Sequence, residues 1–129
     1  MAKKKKSRRR GVAAPVELNG MRATRLREIQ NDIVSNLGGQ ILSIHGVASR
    51  HGVSVNYLRS LFTAAGTTFS KFVMEQRLGA ARAMLRDRRF TDRSIAVIAF
   101  SVGFGDLPSF NRRFRKRFGI KPADLRQDG

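Results

Sequence analysis

The chain has no cysteine, which excludes a disulfide framework and a thiolate metal site. No apolar run approaches the roughly 20 residues that a membrane-spanning helix needs. The basic N-terminal stretch has no apolar segment behind it, so it is not a secretory signal. Strand signals are also missing: Val53, Val55 and Val97 are β-branched residues isolated inside helix-periodic segments. Acidic residues number only nine and are scattered, so no pair shares an expected helix face for acid–base work. His45 and His51 have no third ligand near them, which argues against a metal. Gly103-Phe104-Gly105 follows no strand and precedes no phosphate-binding lysine. The residues support neither an enzyme nor a cofactor site, and none is expected.

What is abundant is positive charge. Lys and Arg total 26 against nine acids, a net charge of +17, in 129 residues. Such a surplus calls for a polyanionic partner or strong solvation. Nucleic acid is the first candidate and an anionic membrane surface the second. Lys3 to Lys6 and Arg8 to Arg10 cluster at the start. Residues 1–20 are expected as a disordered polybasic tail, able to run along DNA phosphates.

A pattern then occurs twice. Val47-Ala48, Gly52-Val53, Leu58, Phe62 and Gly66 recur as Ile98-Ala99, Gly103-Phe104, Phe110, Phe114 and Gly119, about 51–53 residues on. Each copy reads as a short helix, a Gly-bearing turn and a second helix. The full expectation is all-α with about seven helices: two helix-turn-helix subdomains joined by a long central helix. The first helix covers Arg22 to Leu37, with Leu26, Ile29, Ile33, Val34 and Leu37 on one face and Gly38-Gly39 as its stop. Ser43, Ser54, Thr68 and Asp106 are expected N-caps, and Ser94 is the expected first residue of a helix running to Val102. Arg88 to Arg93 reads as a polar connection, and a last short helix follows Pro122. The DNA-binding domain is placed at 21–129, divided into 21–67, a joining helix 68–87 and 88–129. The joining helix is expected to bury Phe69, Phe72, Val73, Gln76, Ala80 and Met84, with Ala81 and Leu85 alongside.

Helical geometry then assigns the outward faces. With Leu58, Leu61 and Phe62 inside, Asn56, Arg59, Ser60 and Thr63 point out. With Phe110, Phe114 and Phe118 inside, Ser109, Arg112, Arg113 and Lys116 point out, behind Leu107 and Pro108. Arg suits guanine O6 and N7, Asn suits adenine N6 and N7, Ser adapts, and Leu can touch a thymine methyl. The expected base-contacting set is Asn56, Arg59, Ser60, Leu107, Pro108, Ser109 and Arg112. The expected phosphate-contacting set is Arg50, Lys71, Arg113 and Lys116.

From about Leu42 to Arg126 the chain resembles the DNA-binding domain of AraC/XylS-type bacterial transcription regulators. The resemblance rests on Ile98-Ala99, Val102-Gly103-Phe104, Phe110-Asn111-Arg112, Phe114, Arg117-Phe118-Gly119, Pro122 and Arg126, with Arg77-Leu78, Ala81 and Met84-Leu85 in the joining helix. It implies two reading helices entering successive major-groove segments on one side of a duplex, and the same base-contacting residues as the face argument. Two positions depart from the pattern. Ser60 stands where some members have Arg, and Pro108 replaces a common polar residue.

The resemblance also implies a cytoplasmic, nucleoid-associated regulator, an activator that contacts RNA polymerase. This chain is expected to act as a monomer, or as a dimer if a separate sensor domain belongs to it. It is then either a stand-alone regulator or a piece of a longer protein. Two rival classes remain: a sequence-blind architectural or RNA-binding protein, and a membrane-active basic helix. The matched apolar stripes argue for a packed domain and against the membrane.

Overall fold

The computed structural model describes residues 16–38 and 42–128. The basic residues of the expected tail, and Gly39, lie outside the described residues. Among those described are seven α-helices: α1 (Val16–Ser35), α2 (Ile44–Arg50), α3 (Val55–Ala64), α4 (Phe69–Leu85), α5 (Ile95–Ser101), α6 (Leu107–Phe118) and α7 (Pro122–Asp128). α1 begins at Val16 instead of Arg22, inside the segment assigned to the tail. A lone Gly20 costs a helix interior only about 1 kcal/mol relative to Ala. That is too little to stop a helix anchored on buried Ile29 and Ile33.

All four expected N-caps form, and Ser94, expected as the first residue of its helix, is instead the cap of α5. The side chains of Ser43, Ser54, Thr68, Ser94 and Asp106 each accept a hydrogen bond from the backbone N–H three residues on, at 2.7–3.1 Å. Each satisfies one of the donors that a helix start leaves free. The connection after α4 holds more structure than expected, a 3-10 turn at Arg88–Phe90 capped by Asp87. Arg126 of α7 fastens it by donating to the carbonyls of Phe90 and Arg93.

The two copies of the repeat fold alike. Val47-Ala48 and Ile98-Ala99 are buried at matching places in α2 and α5. Val53 N–H donates to Ala48 O, and Phe104 N–H to Ala99 O, both at 3.0 Å. Between each pair sits a left-handed glycine, Gly52 at φ 65° and Gly103 at φ 109°, a conformation that side chains disfavour.

Each copy has its own core. Ile29, Ile33, Val47, Leu58, Leu61 and Phe62 centre the first, and Ile98, Ala99, Val102, Phe104, Phe110 and Phe114 the second. α4 serves both, but with different sides. It gives Phe69 and Val73 to the first core and Leu78, Ala81 and Leu85 to the second. At about 100° per residue these two faces are roughly 130° apart. The single inner face expected for this helix is therefore corrected. Leu78 is a core residue, while Phe72, Gln76, Ala80 and Met84 are only partly buried. Val34 is also corrected: it is 47% exposed, one residue round from buried Ile33.

The segment after α1 also meets the second copy directly. A Cβ on Gly38 would strike the carbonyl oxygen of Ser101. A Cβ on Gly103 would strike the carbonyl oxygen of Leu37 and approach Arg77 Nε to 2.5 Å. The end of α1 thus lies against the turn after α5, and Arg77 of α4 lies across the contact. Arg77 Nε is buried and makes no hydrogen bond among the described residues. Burial lowers the Arg77 pKa, yet guanidinium remains charged in proteins.

Candidate nucleic-acid interface

α3 and α6 each present a buried apolar side and an exposed polar side. In α3, Leu58, Leu61 and Phe62 are buried, and Asn56, Arg59, Ser60 and Thr63 are exposed. In α6, Phe110 and Phe114 are buried and Phe118 half-buried, and their rings meet in series from Phe104, edge-on or tilted, at centroid distances of 5.0, 5.4 and 4.8 Å. Pro108, Arg112, Arg113 and Lys116 are exposed on the other side. Leu107 and Ser109 are half-buried, and Leu107 packs against the second core. Neither helix contains an acidic residue.

Three of the four residues expected to meet phosphate come together. Lys71 of α4 and Arg113 and Lys116 of α6 line one open groove of about 750 Å³, together with Ser70 and Met74. Arg117 closes one side of the groove by donating to both oxygens of Glu75, at 2.7–3.0 Å. The fourth, Arg50, stands apart. Its Nε and Nη2 donate to Asp32 Oδ2 at 3.1 and 3.0 Å, and His51 Nε2 lies 2.8 Å from the same oxygen. Asn36 occupies Oδ1, and Arg25 donates to the His51 carbonyl. This network ties α1 to the end of α2. Burial alone would raise the Asp32 pKa, but the hydrogen bonds from His51 and Arg50 outweigh it and hold the carboxyl below its ordinary value. Arg50 is thus charge-compensated within the protein, while Lys71, Arg113 and Lys116 form no ion pair among the described residues.

Ser60 is less free than its exposure suggests. Its hydroxyl donates to the Tyr57 carbonyl at 2.6 Å, so its one proton is committed. The same oxygen accepts from Arg22 Nη2 at 3.2 Å, and the Arg22 guanidinium lies 5.2 Å from the centre of the Tyr57 ring. Arg22 was absent from the expected sites. It is 38 residues from Ser60 in sequence, and no local spacing reports a contact between two different helices.

The geometry agrees with what other proteins show. A family model described as a helix-turn-helix domain matches residues 47–128. Transcriptional activator RhrA of Rhizobium meliloti (strain 1021) is 38% identical over 104 residues, 80% of this chain and 32% of RhrA. Transcriptional activator NphR of Rhodococcus sp is 34% identical over 118 residues, 92% of this chain and 34% of NphR. The chain therefore spans about a third of the length of these two relatives. The crystal structure of a transcriptional regulator from Chromobacterium violaceum, described as AraC-type DNA-binding domain-containing, is similar at TM-score 0.75 and 33% identity. That match covers 84% of this chain and 95% of the other.

Proposed function

This chain belongs to the AraC-type helix-turn-helix family, and on that premise we propose that it binds a specific double-stranded DNA site and regulates transcription as an activator. The observation that carries the reading is the pair of matched helices, α3 and α6. Each is packed behind a left-handed glycine turn and turns an acid-free, arginine-bearing side to solvent. Asn56, Arg59 and Ser60 serve the first box, and Leu107, Pro108, Ser109 and Arg112 the second. Of these, Arg59 and Arg112 have the reach and the donors for guanine. Ser60 can only accept, since its proton is held by Tyr57. Leu107 and Ser109, being half-buried, offer edges for close approach at the leading end of α6.

Lys71, Arg113 and Lys116 bind the phosphates between the boxes, and Arg50 contributes a weaker contact from its pairing with Asp32. Because the two units differ in sequence, the site is an asymmetric pair of boxes about 10 bp apart, within a footprint of roughly 16–20 bp. Phosphate contacts supply most of the affinity and base contacts the choice of site. The regulator works in the cytoplasm on the nucleoid, with RNA polymerase as its protein partner, and this chain binds as a monomer. No helix among the described residues is long and apolar enough to cross a membrane, and the apolar stripes of α3 and α6 are buried in cores, which leaves these two helices no apolar face for a lipid surface.

The test is selection of bound duplexes from a random pool at one stated salt concentration. Two unlike boxes one helical turn apart are the expected outcome. Equal recovery of unrelated duplexes, or preference for single strands, would overturn the proposal in favour of a sequence-blind binder.

A further inference from the structure

We propose that Arg22, the α1 residue that leans on α3, is a phosphate ligand of the first unit, held in place by Ser60 and Tyr57. The inference rests on α3 being a reading helix. Taking Leu58, Leu61 and Phe62 as the inward direction, Ser60 lies only about 30° from the outward pole of α3, and Arg59 about 70° from it on the other flank. A guanidinium bound to Ser60 is therefore brought close to the surface that α3 turns toward its partner. Arg59 and Arg22 then stand on opposite flanks of that surface.

The way Arg22 is held also matters. Arg50, Arg89 and Arg117 each lie on a carboxylate, which compensates their charge. Arg22 is held by a neutral hydroxyl and an aromatic face, and it forms no ion pair with a described residue. Among the described residues no carboxylate offsets its charge, and one of its five donors is committed. The Ser60 proton turned to the Tyr57 carbonyl leaves a lone pair for Arg22, so Ser60 acts here as a positioning residue. Together these contacts limit the freedom of a long side chain before any ligand arrives, which lowers the entropy lost on binding. A cation fixed on the flank of a helix in the major groove faces the backbone at the groove edge, and a phosphate oxygen is the group there that it fits.

The experiment compares wild type with Arg22→Ala, Arg22→Lys and Arg59→Ala, on the selected duplex and on altered duplexes, across 50–200 mM salt. One phosphate contact contributes about 0.9 to the slope of log K against log salt, or about eightfold in affinity at 0.1 M. Arg22→Ala should lose about that much on every duplex and flatten the slope by about one, while Arg22→Lys keeps the slope. Arg59→Ala should instead change preference at one box. A loss with Arg22→Ala confined to one base pair would make Arg22 a base reader and overturn the proposal. An unchanged slope with Arg22→Ala, or a slope that drops as far with Arg22→Lys, would overturn it too. If Arg59→Ala leaves every preference intact, the fault lies with α3 as a reading helix. If Arg59→Ala behaves as expected and Arg22→Ala does nothing, the fault lies with Arg22 alone.

Discussion

Gly52 and Gly103 occupy the same place in the repeat, yet the structure separates what an added methyl group would do at each. Both are left-handed, so alanine at either bears a backbone cost of about 1–2 kcal/mol. Part of it is offset by the stiffer unfolded chain, by about 0.4–1 kcal/mol. A Cβ on Gly52 meets nothing within 4 Å, so Gly52→Ala should cost about 1 kcal/mol. A Cβ on Gly103 meets Arg77 Nε at 2.5 Å and Cζ at 2.9 Å, and strikes the Leu37 carbonyl oxygen. The arginine can swing aside, but the carbonyl belongs to the turn after α1 and moves only if that turn parts from the second copy. Overpacking of this kind typically adds about 1–3 kcal/mol. Gly103→Ala should therefore be less stable than Gly52→Ala by about 2 kcal/mol. At about 4–6 °C per kcal/mol for a domain of this size, its melting temperature should lie a further 8–12 °C lower. Urea and thermal unfolding of the two variants side by side provide the assay. Equal losses would refute the reasoning, because they would mean that the contact between α1 and the second turn does not resist separation.

Three other outcomes are expected. Phe114→Ala empties a fully buried position between Phe110 and Phe118 and should cost about 3–5 kcal/mol in denaturant unfolding; a cost below 1 would misplace the buried side of α6. Arg112→Ala should leave the melting temperature within a degree or two and relax preference at one box by about 1–3 kcal/mol, and an equal loss on all duplexes would make Arg112 a phosphate ligand. The lowered pKa of Asp32 means that the unfolded state binds its proton more readily than the folded state, so its contribution is complete above the unfolded value of about 4 and vanishes as pH falls through the lower folded value. The stability gap between wild type and Asp32→Asn should thus be constant at neutral pH and narrow on acidification, and a gap that holds steady in acid would show that the Arg50–His51 clasp contributes nothing through charge.

What the sequence made legible was local. Ser43, Ser54, Thr68 and Asp106 could be read as caps because a cap bonds three residues away, and every one of them does so. The buried and outward sides followed because α3 and α6 are short and each serves a single core, so one period describes the whole helix. α4 defeated the same method. Seventeen residues serving two cores change their inward direction partway, and a search for one apolar face discards Leu78. The contacts of Arg22, Arg77 and Arg50 within the fold stayed hidden for another reason. Their partners lie 38 residues away at Ser60, 26 at Gly103 and 18 at Asp32, and no spacing rule carries such contacts.

These two classes of residue carry separable properties of the proposed binding. Under the proposed function, side chains on the outward faces of α3 and α6 would choose bases, and changing one would change a letter within a box. The distance between boxes would be set elsewhere, by a helix that gives one side to each core and by the close approach of Gly38 to Ser101 and of Gly103 to Leu37. A substitution at that approach leaves every reading residue in place but loosens the relation between the two units. It should then broaden the spacing the protein tolerates without altering the preferred letters. The converse holds for Arg59 and Arg112. A protein in which base choice and spacing always shifted together would have its reading helices coupled through their own side chains, and neither α3 nor α6 has an ion pair or aromatic contact reaching the other.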